Sequence, residues 1–156
     1  MSAIAIGYSV TSDLLIRLDT MVLYGDFPSF FKTLDSEAVQ TVPPYSYSGY
    51  VVLDAIVLLT GRGWTPIFDR SSPGAASIAD AEIGAVLCCQ KKDANELLSS
   101  LRSLTFTDDE LAAFLKEEWG EEWDQAVPAL REALAYIENT LALLPKHGDW
   151  ALLFVA

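Results

Sequence analysis

The spacing of apolar residues divides the first part of the chain into a strand and an amphipathic helix. Ala3–Val10 is rich in β-branched and aromatic residues and runs into Thr11-Ser12-Asp13, which is typical of a short strand followed by a helix N-cap. The next segment predicts a helix with one apolar side, and Gly25 is expected to end it. Its apolar positions recur three and four residues apart: Leu14, Leu15, Leu18, Val22 and Leu23.

The most apolar segment lies near the middle of the chain. Tyr50–Thr60 contains a single charged side chain, Asp54, and is followed by Gly61, which predicts a helix buried nearly all round with a glycine C-cap. A buried strand is the alternative, favoured by three valines, although eleven residues is long for a strand. The preceding Val42-Pro43-Pro44-Tyr45-Ser46 is expected to be irregular, because proline bars the helical conformation for the residue before it.

The second half of the chain repeats the alternation of strands and helices. Ile83–Gln90 predicts a strand, and Lys91 opens a helix with an apolar stripe. Thr107 to Glu110 has the spacing of a capping box and predicts a further helix, which Gly120 interrupts. A long helix follows, in which Pro128 marks either a kink or the true start. Trp150–Val155 predicts the final strand.

Together these elements predict one α+β domain over residues 1–156. We expect a small antiparallel or mixed sheet of about three to four strands, packed with about five to six helices. The length suits a single domain, and the apolar content of 51% is sufficient for a core. The N-terminus has no basic lead and no long apolar run, so the chain is predicted to be cytoplasmic and not membrane-bound.

The charge is concentrated in one segment. Residues 108–124 carry eight of the 22 acidic residues and one base, Lys116, in a chain of net charge −12. Two tryptophans, Trp119 and Trp123, lie among these carboxylates. Acidic surfaces attract basic proteins and repel nucleic acid, so no nucleic-acid partner is predicted. The alternative interpretation is an ordinary solvated helix face.

Few residues support metal or nucleophilic chemistry. His147 is the single histidine, and it lies just beyond a helix C-terminus, where the helix dipole and the free carbonyls favour a positive side chain. Cys88 and Cys89 are neighbours on a predicted strand, so their side chains point to opposite faces and cannot hold one metal. One of them is expected in the core and the other half-buried. Gly61-Arg62-Gly63 lacks the length and lysine of a phosphate loop. Neither a metal nor another cofactor is predicted.

Asp54 is the carboxylate that most needs an explanation. A bare charge on an apolar helix is costly to bury, so Asp54 lies either on a thin exposed stripe or in the interior with hydrogen-bond partners. We predict a buried polar anchor, which is more often structural than catalytic.

Several elements resemble the YfbM-like family of bacterial proteins of unknown function. The resemblance rests on the Ile4–Val10 strand with Gly7, on Leu53-Asp54 followed by Leu58-Leu59-Thr60-Gly61, and on the closing Gly148–Val155 segment. Family members often have a large aromatic residue shortly after the aspartate, where this chain has Ala55 and Ile56. The resemblance implies a small α+β fold with an antiparallel sheet and no assigned activity.

The favoured functional hypothesis is a protein-binding module with an acidic docking surface for a basic protein. The surface is predicted to consist of Glu117, Glu118, Trp119, Glu121, Glu122, Trp123 and Asp124. Immunity-type proteins that neutralise basic nucleases use such surfaces, and the length of this chain suits that role. The alternative is a small-molecule enzyme that uses the carboxylates of Asp54 and Asp69, with Arg62 or Arg70 as an anion clamp. An enzyme is less favoured, and no catalytic residue is assigned.

Overall fold

The structure is a computed structural model that describes residues 3–65, 77–78, 81, 83–120, 124–143 and 146–156. Within these residues the chain forms four strands and six helices. The strands are β1 (Ala5–Val10), β2 (Gln40–Val42), β3 (Ala85–Gln90) and β4 (Trp150–Val155). The helices are α1 (Ser12–Leu23), α2 (Phe27–Glu37), α3 (Tyr50–Gly61), α4 (Lys91–Ser103), α5 (Asp108–Trp119) and α6 (Ala126–Leu143).

The strands form one antiparallel sheet in the order β2-β1-β4-β3. β4 lies between β1 and β3, with Tyr8 opposite Leu152 on one side and Cys88 opposite Leu152 on the other. The predicted α+β class with a small antiparallel sheet is therefore confirmed. The prediction of an irregular segment from Val42 onwards is wrong at its first residue, because β2 pairs with Gly7 to Ser9 of β1. Local sequence did not reveal β2, since its partner is distant in the chain.

Helices cover both faces of the sheet. The core on one face is built with α1 and α2, and the core on the other face is built with α3, α4, α5 and α6. All six residues of β4 are buried as a result. Cys88 and Cys89 point to opposite faces, as predicted. The prediction that one of them is half-buried is wrong, because the sheet has no uncovered face at this position and both side chains are 0% exposed.

α3 is a helix and not a strand, but it is not buried all round. Its apolar positions pack against α6 and the sheet, whereas Tyr50 and Val57 are half-exposed. The predicted glycine cap is also displaced. The residue with the left-handed conformation is Gly63, at φ 84°, while Gly61 is the last helical residue. The helix therefore presents a mixed outer side that the sequence pattern did not predict.

The acidic helix α5 has the predicted start. The Thr107 hydroxyl accepts a hydrogen bond from the Glu110 backbone N–H at 3.2 Å, and a Glu110 carboxylate oxygen accepts one from the Thr107 backbone N–H at 2.7 Å. At the other end Gly120 adopts φ 69° and stops the helix, as predicted. Pro128 lies in the first turn of α6, where its missing N–H removes no intrahelical bond. It therefore marks the start of the helix and not a kink.

No helix in the described part of the chain is long and apolar enough to cross a membrane.

Candidate functional site

A hydrogen bond joins the two features that the sequence singled out separately. The indole Nε1–H of Trp119 donates to Oδ2 of Asp54 at 3.0 Å. Trp119 is the last residue of α5 and remains 36% exposed, while Asp54 is half-buried on α3. The bond holds the tryptophan against α3 without removing it from solvent.

Asp54 is held in surroundings that disfavour its charge. Partial burial raises the pKa of Asp54 above its ordinary value of 3.8, the Trp119 hydrogen bond acts in the opposite direction, and the negative charge of Glu118 raises it again. A cation placed beside these carboxylates would relieve both the burial cost and the repulsion. The electrostatics of the site therefore favour a positively charged group.

Exposed apolar side chains lie on the same side of α3 as Asp54. Tyr50 is four residues before Asp54 and Val57 three residues after it, and at these spacings helical side chains share one face. Tyr50 and Val57 are 50% and 51% exposed. We call the set formed by Tyr50, Asp54, Val57, Glu118 and Trp119, together with Glu117 on the adjoining side of α5, the Trp119 surface. Sequence reasoning missed Tyr50 and Val57, although their spacing from Asp54 could have indicated them.

The carboxylates of α5 fall into two groups. At the start of the helix, Asp108 forms an ion pair with Arg131 at 2.6 Å, and Glu110 forms one with Arg62 at 3.0 Å. Near the end of the helix, Glu117 and Glu118 are exposed and form no ion pair with any described residue. Negative charge at a helix C-terminus is also disfavoured by the helix dipole. Helix stability therefore does not explain Glu117 and Glu118.

Of the remaining predicted binding residues, the structure describes only Asp124. Glu121, Glu122 and Trp123 lie outside the described residues, and Asp124 is exposed just before α6. Gly120 ends α5, so Trp119 is the last residue of that helix.

The described residues of the enzymatic alternative, Asp54 and Arg62, already have partners within the fold. Asp69 and Arg70 lie outside the described residues. The Arg62 guanidinium is paired with Glu110, and its carbon lies 5.0 Å from the centre of the Phe106 ring. These contacts hold the predicted clamp residue against α5.

The metal and thiol candidates are placed apart from one another. His147 is exposed, whereas both cysteines are buried. Burial raises the pKa of the Cys89 thiol, and the nearby Cys88 and Asp93 raise it further, which suppresses the reactive thiolate. Among the described residues no three histidine, cysteine or carboxylate side chains converge as a metal site would require.

No protein-family model matches this chain, and neither the curated proteins nor the solved structures give a match. The resemblance to the YfbM-like family stays a prediction.

Proposed function

We propose that this chain is a protein-binding module whose Trp119 surface docks a basic protein. The observation that carries the proposal is the Asp54–Trp119 hydrogen bond, which fixes an exposed tryptophan beside carboxylates that have no cationic partner among the described residues.

The composition of the surface suits an interface. Tryptophan and tyrosine are enriched among the residues that contribute most of the binding energy of an interface. They contribute most where the partner excludes water from them. Trp119, Tyr50 and Val57 offer the apolar contact, while Asp54 and Glu118 offer acceptors for a guanidinium or an ammonium. An arginine side chain uses both parts, because it stacks on aromatic rings and donates to carboxylates.

The net charge of the chain supports the same partner chemistry. At −12 the molecule attracts positively charged proteins over several ångströms, and such attraction raises association rates more than it raises affinity. The biological role that we propose is that of an immunity-type protein, whose acidic surface binds and blocks a basic toxin inside the cytoplasm.

The experiment compares two charge-reversed variants by affinity capture from the native host. Glu117→Lys/Glu118→Lys alters the Trp119 surface. Glu96→Lys/Glu132→Lys changes the net charge equally, at exposed positions of α4 and α6. A basic protein retained by the parent and by the control variant, but lost with the Glu117/Glu118 variant, supports the proposal.

The captured protein is then purified and its association rate measured as salt is increased. We expect a steep decrease, because screening shortens the reach of the carboxylates. Trp119→Ala should weaken the complex by about 2 kcal/mol or more, as expected for a central aromatic residue. The proposal would be contradicted if both charge variants captured the same amount of the basic protein, or if the association rate did not change with salt concentration.

A further inference from the structure

A second feature lies on the opposite face of the sheet, between α2 and β1. It is a groove of about 230 Å³ whose floor and wall are mostly apolar. Ile6 and Tyr8 share one face of β1, because alternate residues of a strand point the same way, and Ile4 continues this alternation just before the strand, where its backbone pairs with Ala156. Ile4 is 54% exposed, which is unusual for an isoleucine on a sheet face that helices otherwise cover.

Aromatic edges shape the groove. Phe31 of α2 and Phe154 of β4 meet edge to face, with ring centres 6.1 Å apart, and Tyr8 meets Phe154 in the same manner at 6.1 Å. Phe30 packs beneath them at 5.0 Å from Phe31 and is fully buried. Rings held in such contacts have defined positions, so the groove is formed before any ligand arrives.

A hydrogen-bonded pair, Tyr8 and Asp35, lies at the side of the groove. The Tyr8 hydroxyl donates to Oδ1 of Asp35 at 2.7 Å. Burial raises the pKa of Tyr8, and the hydrogen bond and charge of Asp35 raise it further, so Tyr8 keeps its proton and remains a donor. Asp35 is exposed and lies four residues after Phe31, on the same side of α2.

The Asp35 carboxylate is not neutralised by any basic side chain in the described lining of the groove. The side chains that line it in the described part of the chain include no basic group. On α1 and α2, the Arg17 guanidinium is already paired with Glu37 at 2.6 Å, and Lys32 is exposed outside the groove lining. A carboxylate beside an apolar recess of this kind complements a cation that carries an apolar body.

We propose that this groove binds a small primary amine with a single ring or a short apolar chain. The ammonium donates to the Asp35 carboxylate, and the apolar body occupies the recess between Ile6, Phe31 and Phe154. The volume lies below the range of about 300–1,000 Å³ that accommodates drug-sized ligands, which limits the body to one ring. The groove is separate from the Trp119 surface, whose helices pack on the other face of the sheet.

The test uses 2-phenylethylamine as the probe and 3-phenylpropionate as its anionic counterpart of similar shape. Both are titrated at millimolar concentrations into the isotopically labelled full chain, and amide chemical shifts are followed by NMR. We expect saturable shifts at Ile4, Ile6 and Asp35 with the amine, and binding of the anion weaker by about tenfold or more.

The variant Asp35→Asn keeps an acceptor for Tyr8 but removes the charge, and it should weaken amine binding by about tenfold. Asp13→Asn removes an exposed charge from α1 and should leave amine binding unchanged. The neutral 2-phenylethanol should bind Asp35→Asn and the parent equally. The proposal is overturned if the amine causes no saturable shifts, if its shifts cluster at Trp119, or if Asp35→Asn binds it as well as the parent.

Discussion

The two ends of α5 carry carboxylates that serve different purposes. At the start, Asp108 and Glu110 are paired with arginines, and Glu110 also completes the capping box. At the end, Glu117 and Glu118 have no ion pair within the described residues and lie beside an exposed tryptophan. The carboxylates at the start of the helix are engaged in contacts within the fold, whereas those at its end form no ion pair with a described residue.

This difference shows that a count of charges does not identify a binding surface. All of these carboxylates contributed equally to the acidic segment in the sequence. The backbone N–H of Thr107 and then Arg62 lower the pKa of Glu110 at the start of α5, whereas burial raises the pKa of Asp54, the α3 carboxylate that is bonded to Trp119 at the other end. Carboxylates without a partner are the ones that remain available to a second molecule.

The largest expected change in the free energy of unfolding comes from removing a core contact of α5. Leu111 is 0% exposed in the core beneath α5, so Leu111→Ala should lower the free energy of unfolding by about 2–5 kcal/mol. The exposed neighbour substitution Ala112→Ser serves as the control and should stay within about 0.5 kcal/mol. Urea unfolding measures both. A loss below about 1 kcal/mol for Leu111→Ala would show that packing does not hold α5 in place.

A smaller effect distinguishes the two ends directly. Thr107→Ala removes the capping hydroxyl and should cost about 1 kcal/mol in the free energy of unfolding. Glu118→Ala, at the end whose carboxylates form no ion pair with a described residue, should change it by less than about 0.5 kcal/mol. Chemical denaturation of the two variants under identical conditions tests the comparison. Equal losses would mean that both ends contribute to folding.

The bond between Asp54 and Trp119 should have a modest energy. In a double-mutant cycle with Asp54→Ala and Trp119→Phe, we expect a coupling free energy of about 0.5–1 kcal/mol, because the pair is partly open to water. Trp119→Phe keeps a ring and removes the donor, so it isolates the hydrogen bond. A coupling indistinguishable from zero would show that the tryptophan is not held by Asp54.

The smallest effect is a difference in pH dependence. The pKa of Glu110 is lowered from 4.5, so its stabilisation is present above about pH 4.5 and is lost as pH falls through the lowered pKa. Glu110→Gln should therefore lower the Tm at pH 7 and have no such effect in stronger acid.

The pKa of Asp54 is raised from 3.8, so the folded state binds more protons than the unfolded state above that pH, and stability falls as pH rises through this window. Asp54→Asn keeps an acceptor for Trp119 and should raise the Tm at pH 7 but not below pH 3.8. Thermal unfolding across this pH range measures both variants. Shifts of the same sign at pH 7 would contradict the opposite pKa shifts of Glu110 and Asp54.

The sequence by itself determined the features that depend on neighbouring residues. The capping box of Thr107 and Glu110, the break at Gly120 and the strand β4 were all predicted, because hydrogen bonds and backbone conformations within a few residues decide them. The α+β class followed from the order of these elements. The same local information placed Cys88 and Cys89 on opposite faces of one strand.

Only the tertiary structure decided which side chains meet across the fold. The contact of Asp54 with Trp119 spans 65 residues, and that of Tyr8 with Asp35 spans 27, so no periodicity in the chain encodes either of them. The pairing of β2 with β1 and the burial of both cysteines also depend on elements that arrive from elsewhere in the chain. Packing of helices on both faces of the sheet brings these residues together, and that packing is a property of the whole chain.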